Sequence, residues 1–205
     1  MAETLPTSAM MQTDALVVQA REGDRHAQGR LMQLWYKRIY NFGYKFFFDH
    51  DLAMEVAQKT FISMHRNLPH LNDAGRFKSW LYTIAVNNCR EELRKRQSRR
   101  TVSFTEGSGS ATLRMEAPHR HENPEHHLRQ VELSDLLQQC LLELSEEQRT
   151  VVIMKEYEGF KFREIAEALN ISENTAKSRL YYGLDGLKKI LEQKNITKES
   201  FGYEN

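Results

Sequence analysis

Residues with apolar side chains come back every third or fourth position in this chain and nowhere alternate with polar ones, which leaves helices as its regular structure. Leu52, Val56, Thr60 and Met64 recur at i, i+4, i+8 and i+12, with Ala53, Ala57 and Phe61 alongside. This spacing predicts a helix from Asp51 to Asn67, broken before Pro69. An earlier helix, capped by Asp24, carries Leu31, Leu34, Trp35, Tyr36, Ile39, Tyr40, Phe42 and Gly43. It is too aromatic to be exposed all round, so one broad face must be buried. Asp14 reads as the cap of a short helix through Arg21 that Gly23 ends, with residues 1–13 as a loose tail. After the loop Leu68–Gly75, the residues Phe77, Trp80, Leu81, Ile84, Ala85 and Asn88 mark another helix, with its core residues first and its cations last.

Charge separates the parts of this chain. The 205 residues carry a net +1, yet between Arg76 and Arg100 eight cations face only Glu91 and Glu92, a local +6. Such asymmetry on a neutral chain suggests a surface that meets a polyanion, although a basic run can equally be a solvated helix face. No apolar run approaches the roughly 18 residues a membrane span needs, and Ala15–Val18 lacks the basic region that would make it a secretory signal. Cys89 and Cys140 are the only cysteines, which excludes a disulfide scaffold and fits a reducing cytoplasm.

Residues 99–127 change character, with Gly107, Ser108, Gly109, Ser110, Pro118, Pro124 and scattered histidines. They read as a flexible linker whose relaxed span is about 30 Å and whose contour is about 95 Å. Asn123-Pro124 is an N-cap followed by proline at the first helical position. Beyond it Leu128, Val131, Leu133, Leu136, Leu137, Cys140, Leu141 and Leu144 form one stripe. Ser145-Glu146-Glu147-Gln148 matches a capping box, opening a helix through Val151, Val152, Met154 and Tyr157 that Gly159 stops. The predicted fold is all-α, two helical domains (14–98 and 128–192) on a flexible linker, with a C-terminal tail at 193–205.

The stretch Phe162–Leu180 carries the strongest functional signal. A helix-turn-helix needs a small residue where its helices touch, supplied by Ala166, and a sharp corner often built at positive φ, which Asn170 tolerates. Ile171 plugs that corner, Ser172 caps the second helix, and Ala176 and Leu180 face inward. Glu173, Asn174, Lys177, Ser178, Tyr181 and part of Arg179 are left outward, able to meet base edges and phosphates in a major groove. An ordinary helical hairpin with Asn at its turn is the plainer alternative.

These residues, with Leu144–Arg149, Glu158-Gly159-Phe160 and Glu164-Ile165-Ala166, resemble region 4 of the extracytoplasmic-function sigma factors of the sigma-70 family. Leu34-Trp35-Tyr36, Ile39-Tyr40, Ala53–Phe61 and Phe77–Asn88 independently resemble region 2, in the right order and with a linker between. The resemblance implies a dissociable subunit of bacterial RNA polymerase, with no covalent chemistry or cofactor of its own. Its partners would be core polymerase, through the largest subunit's coiled coil and the flap, and promoter DNA, both duplex and single-stranded. It further implies an anti-sigma factor, membrane-bound where a neighbouring single-span protein supplies it.

Carried over residue by residue, the upstream (−35) element would be met by Ser172, Glu173, Asn174, Thr175, Lys177, Ser178, Arg179 and Tyr182, with Arg149 and Lys161 on phosphates. The opened downstream (−10) strand would be met by Asn67, His70, Asn72, Arg76, Phe77, Lys78, Ser79, Trp80 and Asn87, with Arg90, Arg94 and Arg96 steering its backbone. Phe77 and Trp80 also fit a core role, being at helical spacing with Leu81 and Ile84. Core polymerase would be met by Asp51, Glu55, Gln58 and Phe61, with Met54 where the family usually has a second acid. The chain departs from the family again at Asn170, usually glycine, and at Tyr182-Gly183, usually basic. The promoter elements lie about 70 Å apart, within the linker's contour.

Three other readings compete with this one. A helix-turn-helix regulator that does not bind polymerase would explain residues 144–190 and leave the region 2 match without a role. An enzyme using Glu55, His65 and His70 lacks any nucleophile–base pairing. His119, His121, His126 and His127 suggest a metal-sensing linker but lack regular ligand spacing, so no metal is assigned.

Overall fold

Asp24 accepts from the backbone N–H groups of His26 and Ala27, and so starts α2 (Arg25–Phe47), as its position predicts. The computed structural model describes residues 7–103 and 135–194, with side chains over 13–99 and 135–194. Before α2 lies α1 (Thr7–Arg21). This helix begins well ahead of Asp14, so Asp14 lies inside it, and residues 7–13 of the expected tail are helical. Thr7–Thr13 contains no glycine or proline and includes good helix formers, so nothing interrupts propagation back to Pro6.

Asp49 caps α3 (His50–Asn67) through the Leu52 N–H and also receives Arg96 at 2.6 Å. Phe48, between α2 and α3, sits at φ 52°, an uncommon conformation for a bulky residue. Gly43 lets α2 approach α3 closely, since a Cβ there would lie 3.2 Å from the Ala53 Cα. Two short 3₁₀ turns, Leu68–His70 and Ala74–Arg76, lead into α4 (Phe77–Ser103). α4 runs on through Ser103, past the expected start of the linker at 99. The other linker residues and all four linker histidines lie outside the described residues, as do Leu128, Val131 and Leu133.

The first unit closes over Trp35, Phe42, Phe46, Phe77 and Tyr82, all essentially without exposure. Trp35 meets Phe77 edge-on at 5.7 Å, and Phe42 meets Tyr82 at 5.3 Å. Not every aromatic of α2 goes inward: Leu34 and Tyr36 face out, because the buried arc through Leu31, Trp35, Ile39 and Phe42 cannot hold them too.

The second unit opens with α5 (135–143) and α6 (Glu146–Val152), the latter started by the Ser145 hydroxyl accepting from the Gln148 N–H. α6 widens into a π turn, Ile153–Tyr157, and the chain reverses at Gly159, φ 65°. Then come α7 (Phe162–Leu169) and α8 (Glu173–Gln193). Asn170 takes the left-handed conformation (φ 52°, ψ 51°), and Ser172 caps α8 through the Thr175 N–H at 3.0 Å. The corner is thus built as expected. Leu141, Leu144 and Val152 bury against Leu180, Leu187 and Ile190. Gly183 packs on Val152, which explains the glycine of the Tyr182-Gly183 departure: a Cβ would lie 2.8 Å from Val152 Cγ2.

The two units share one buried cluster, joining Phe46 and Tyr82 to Ile153, Met154 and Phe160. Among the described residues there is no strand, and no helix is long and apolar enough to cross a membrane.

Candidate nucleic-acid and polymerase interface

Three surfaces carry the residues read from the sequence. The first is the outer face of α8. Glu173, Asn174, Lys177, Ser178, Tyr181 and Tyr182 all stand exposed. Tyr181 and Tyr182 are 69% and 60% exposed, unusual for aromatics with no fold role here. Lys177 leans over the Phe162 ring. Ser172 and Thr175 are engaged in the cap, and Thr175 is half-buried. Arg179 points sideways to Glu147 of α6 at 2.6 Å, its side chain only one-fifth exposed. Lys161 is exposed at the start of α7, where its N–H donates to Glu164.

Arg149 is placed differently from the phosphate contact expected of it. It is buried and donates to the carbonyls of Phe46, Leu142 and Leu144 at 2.9–3.0 Å. Burial depresses the pKa of its guanidinium. The three carbonyls serve its Nη1 and Nη2 groups, while the buried Nε has no hydrogen-bond partner among the described residues. In this arrangement Arg149 spans the two units and presents nothing to a phosphate.

The second surface is a cleft of about 380 Å³ where the loop after α3 meets the start of α4. Its walls include His70, Asn72, Arg76, Ser79 and Trp80, five residues picked from the sequence. The Asp73 carboxylate shapes the turn beneath by accepting from the Gly75 N–H. Trp80 is half-exposed on the cleft wall, whereas Phe77 turns into the core. Asn67 and Asn87 lie exposed outside the cleft, and Asn67 bonds the Ser63 carbonyl. Lys78 is mostly buried, its ammonium 3.8 Å above the Phe160 ring centroid, and burial lowers its pKa. Arg90 pairs with Glu146 at 2.6 Å, Arg96 with Asp49, and Arg94 is exposed. At 1.5 Å per residue, Arg96 stands about 30 Å along the helix from Arg76, so the cations are spread over its length and do not form one pocket.

The third surface is the outer side of α3. Asp51, Met54 and Gln58 are exposed, Glu55 pairs with Lys59 at 2.6 Å, and Phe61 is buried against Tyr36. Lys59 is shared with the buried Glu92 of α4. Hydrogen bonds that the Lys59 ammonium donates to Glu55, and then to Glu92, hold it above its usual lysine range.

Sequence reasoning passed over the seam between the units. Tyr82, fully buried, donates to Glu158 at 2.5 Å and meets the Phe160 ring at 4.7 Å. Lys45 sits over the Tyr157 ring at 5.1 Å. The carboxylates of Glu164 and Glu167 approach Lys78 and Arg76 at 3.9 and 3.8 Å. The available signal was the arc Tyr82, Ala85, Val86 and Cys89, a second apolar stripe on α4 that widens its buried face beyond what one unit needs.

A helical unit with a polar cleft at the start of a cation-rich helix, joined to a helix-turn-helix with a free polar face, defines a DNA-binding protein of the transcription apparatus. The sigma-70 region 2 family model matches residues 31–99, and that of sigma-70, region 4, matches residues 134–185. The chain is 29% identical over 177 residues to the ECF RNA polymerase sigma factor SigW of Bacillus subtilis, covering 85% of this chain and 94% of that one. It is 32% identical over 140 residues to the RNA polymerase sigma factor CarQ of Myxococcus xanthus, covering 68% and 75%. Its fold is similar to that of the sigma factor RpoE of Bartonella quintana, solved with the anti-sigma factor NepR. That match has a TM-score of 0.63 at 22% identity and covers 80% of this chain and 96% of that chain. The chain belongs to the sigma-70 family, in its extracytoplasmic-function branch. It is a sigma factor, which directs RNA polymerase to specific promoters.

Proposed function

We propose that the exposed face of α8 reads the upstream promoter element as duplex, while the cleft at the start of α4 holds the downstream element as an opened strand. Asn174 and Lys177, near the N-terminus of α8, are set to reach base edges, where helix-turn-helix contacts concentrate. Around the cleft, His70 and Asn72 offer hydrogen-bonding edges to unstacked bases, and Trp80 offers a ring face. Arg76 and Lys78 hold the backbone there, and Arg90, Arg94 and Arg96 continue its path along α4. Asp51, Met54, Glu55 and Gln58 seat on core polymerase, with Phe61 and Tyr36 stiffening the face from behind. The chain performs no covalent step itself and acts in the cytoplasm beside the polymerase. By extension from relatives crystallised with anti-sigma factors, a protein partner of that kind holds it inactive.

One observation carries this reading: the five cleft residues converge in space although His70 and Trp80 belong to different elements, while the recognition face of α8 stays open. Run-off transcription from a genomic promoter library, using purified chain and core polymerase, tests it. Specific transcripts are expected, and their absence overturns the assignment. A pull-down that recovers core subunits and no other protein would argue against an anti-sigma partner and for control by synthesis.

A further inference from the structure

We propose that Arg21, at the end of α1, is the positioning residue of the strand-reading loop, holding the Asn72 backbone where the Asn72 side chain can meet a base. This rests on the assignment of the cleft to the opened strand. The Arg21 Nη1 donates to the Asn72 carbonyl at 3.2 Å, across 51 positions of sequence. His70, Asn72 and Asp73 are exposed on the cleft wall. Side chains kept free for DNA do not fix their own loop by burial, so the loop has to be held from behind. Its buried anchors, Leu68 and Leu71, share one cluster with Val17 and Ala20 of α1. The Arg21 bond takes over immediately beyond Leu71, where the burial ends.

Arg21 itself stands on a fixed base. The chain leaves α1 through Gly23 at φ 95°, and the N–H groups of Gly23 and Asp24 donate to the carbonyls of Ala20 and Gln19 at 3.2 Å, closing the helix end. The Gln28 side chain of α2 also donates to the Ala20 carbonyl, at 3.1 Å. His65 of α3 meets the Gln28 amide oxygen at 2.9 Å. Three helices therefore fix the residue next to Arg21. Its planar guanidinium, with donors in a rigid fork, suits holding a carbonyl in one place. Such a bond at the surface adds little to folding. Its effect is on placement, because a group that recognises a base has to be held to within about 0.5 Å.

Holoenzyme assembled from the full chain and core polymerase tests this on a promoter taken from the run-off library. Each downstream position is replaced in turn by the other three bases, and transcript yields give the base preference at every position. Wild type, Arg21→Ala, Arg21→Gln, Asn72→Ala and the double variant Arg21→Ala/Asn72→Ala are compared. Binding of forked DNA, duplex upstream and single-stranded downstream, is titrated over several salt concentrations. Loss of a phosphate contact lowers the salt slope, whereas loss of placement does not. Melting followed by circular dichroism establishes that each variant is folded, and the glutamine variant serves if the alanine one is not.

Asn72→Ala should flatten the preference at one downstream position by about tenfold, the weight of a single base contact. Removing the Arg21 guanidinium should flatten that same position by about three- to tenfold, with the other positions and the salt slope as in wild type. In the double variant it should add nothing, as expected of a residue that acts through Asn72. A uniform loss at all positions with a lower salt slope would make Arg21 a phosphate contact and overturn the proposal. So would an unchanged preference, or an Arg21 effect that persists in full once Asn72 is alanine. If Asn72→Ala itself leaves every preference intact, the assignment of the loop to bases fails, and the proposal with it.

Discussion

The phenol of Tyr82 on α4 donates a 2.5 Å hydrogen bond to the Glu158 carboxylate, and both residues are sealed from solvent. This bond joins residues 76 positions apart and ties region 2 to the turn that opens the helix-turn-helix of region 4. Removing one partner leaves the other buried without its bond, which costs about 1–3 kcal/mol. Tyr82→Phe should therefore keep both units folded and loosen their association. Interdomain dye transfer would show a lower closed fraction; an unchanged fraction would mean that the bond contributes nothing net.

Glu158 also makes the association depend on pH. Burial raises its pKa above the ordinary 4.5, against the lowering effect of Tyr82, Lys45, Arg38 and Lys78. A carboxyl raised in the closed form binds its proton more readily there than when released. Closure therefore gains as pH falls from neutral, the gain is complete below about 4.5, and it is lost as pH rises through the elevated value. Lys45 and Lys78, lowered chiefly by burial, work in the opposite sense, favouring closure as pH rises. Dye transfer should rise between pH 7.5 and 5 in the wild type, and the response should vanish in Glu158→Gln. A fall over that interval would contradict the assignment.

On α8, Lys177→Ala and Asn174→Ala should each weaken duplex binding. Loss of a base contact costs about 1–3 kcal/mol and relaxes specificity, whereas loss of a phosphate contact lowers the salt slope. Arg179, held by Glu147, should behave differently. Its replacement by Ala removes a partly exposed ion pair worth about 0–1 kcal/mol, with little effect on sequence preference. A promoter titration over several salt concentrations separates these outcomes. Equal effects at 177 and 179 would mean that the pair with Glu147 breaks on DNA.

Gly183→Ala tests the packing of α8 on α6. The added methyl meets Val152 Cγ2 at 2.8 Å, and Val152 is buried and β-branched, with little room to rotate. Overpacking of about 1–3 kcal/mol outweighs a helix-propensity gain of at most about 1 kcal/mol. A melting temperature lower by a few degrees is expected, and a rise would show that Val152 yields.

What could be read from the sequence is what residues a few positions apart decide. Asp24, Ser145 and Ser172 cap as their chemistry dictates, and Asn170 takes the positive φ that the helix-turn-helix corner demands. The cleft residues were legible through the resemblance to region 2, which supplied the spatial relation that spacing alone does not contain. Arg149 was misplaced because an arginine at a helix start reads as surface until its three carbonyl partners, one of them 103 residues away, are known. Glu158, Glu164 and Glu167 carried no contact of their own in the sequence for the same reason: their partners belong to the other unit. Phe61 and Phe77, picked for contact, were already needed inside.

The π turn at Ile153–Tyr157 holds one residue more than an α-turn would, closing through the Glu158 N–H to the Ile153 carbonyl at 3.2 Å. One residue is about 100° of rotation around a helix. Deleting a single residue there would swing Glu158 away from Tyr82 and would also turn α8 off its seat on Val152. The extra residue therefore sets two registers at once, that of the seam with the first unit and that of the recognition helix on α6.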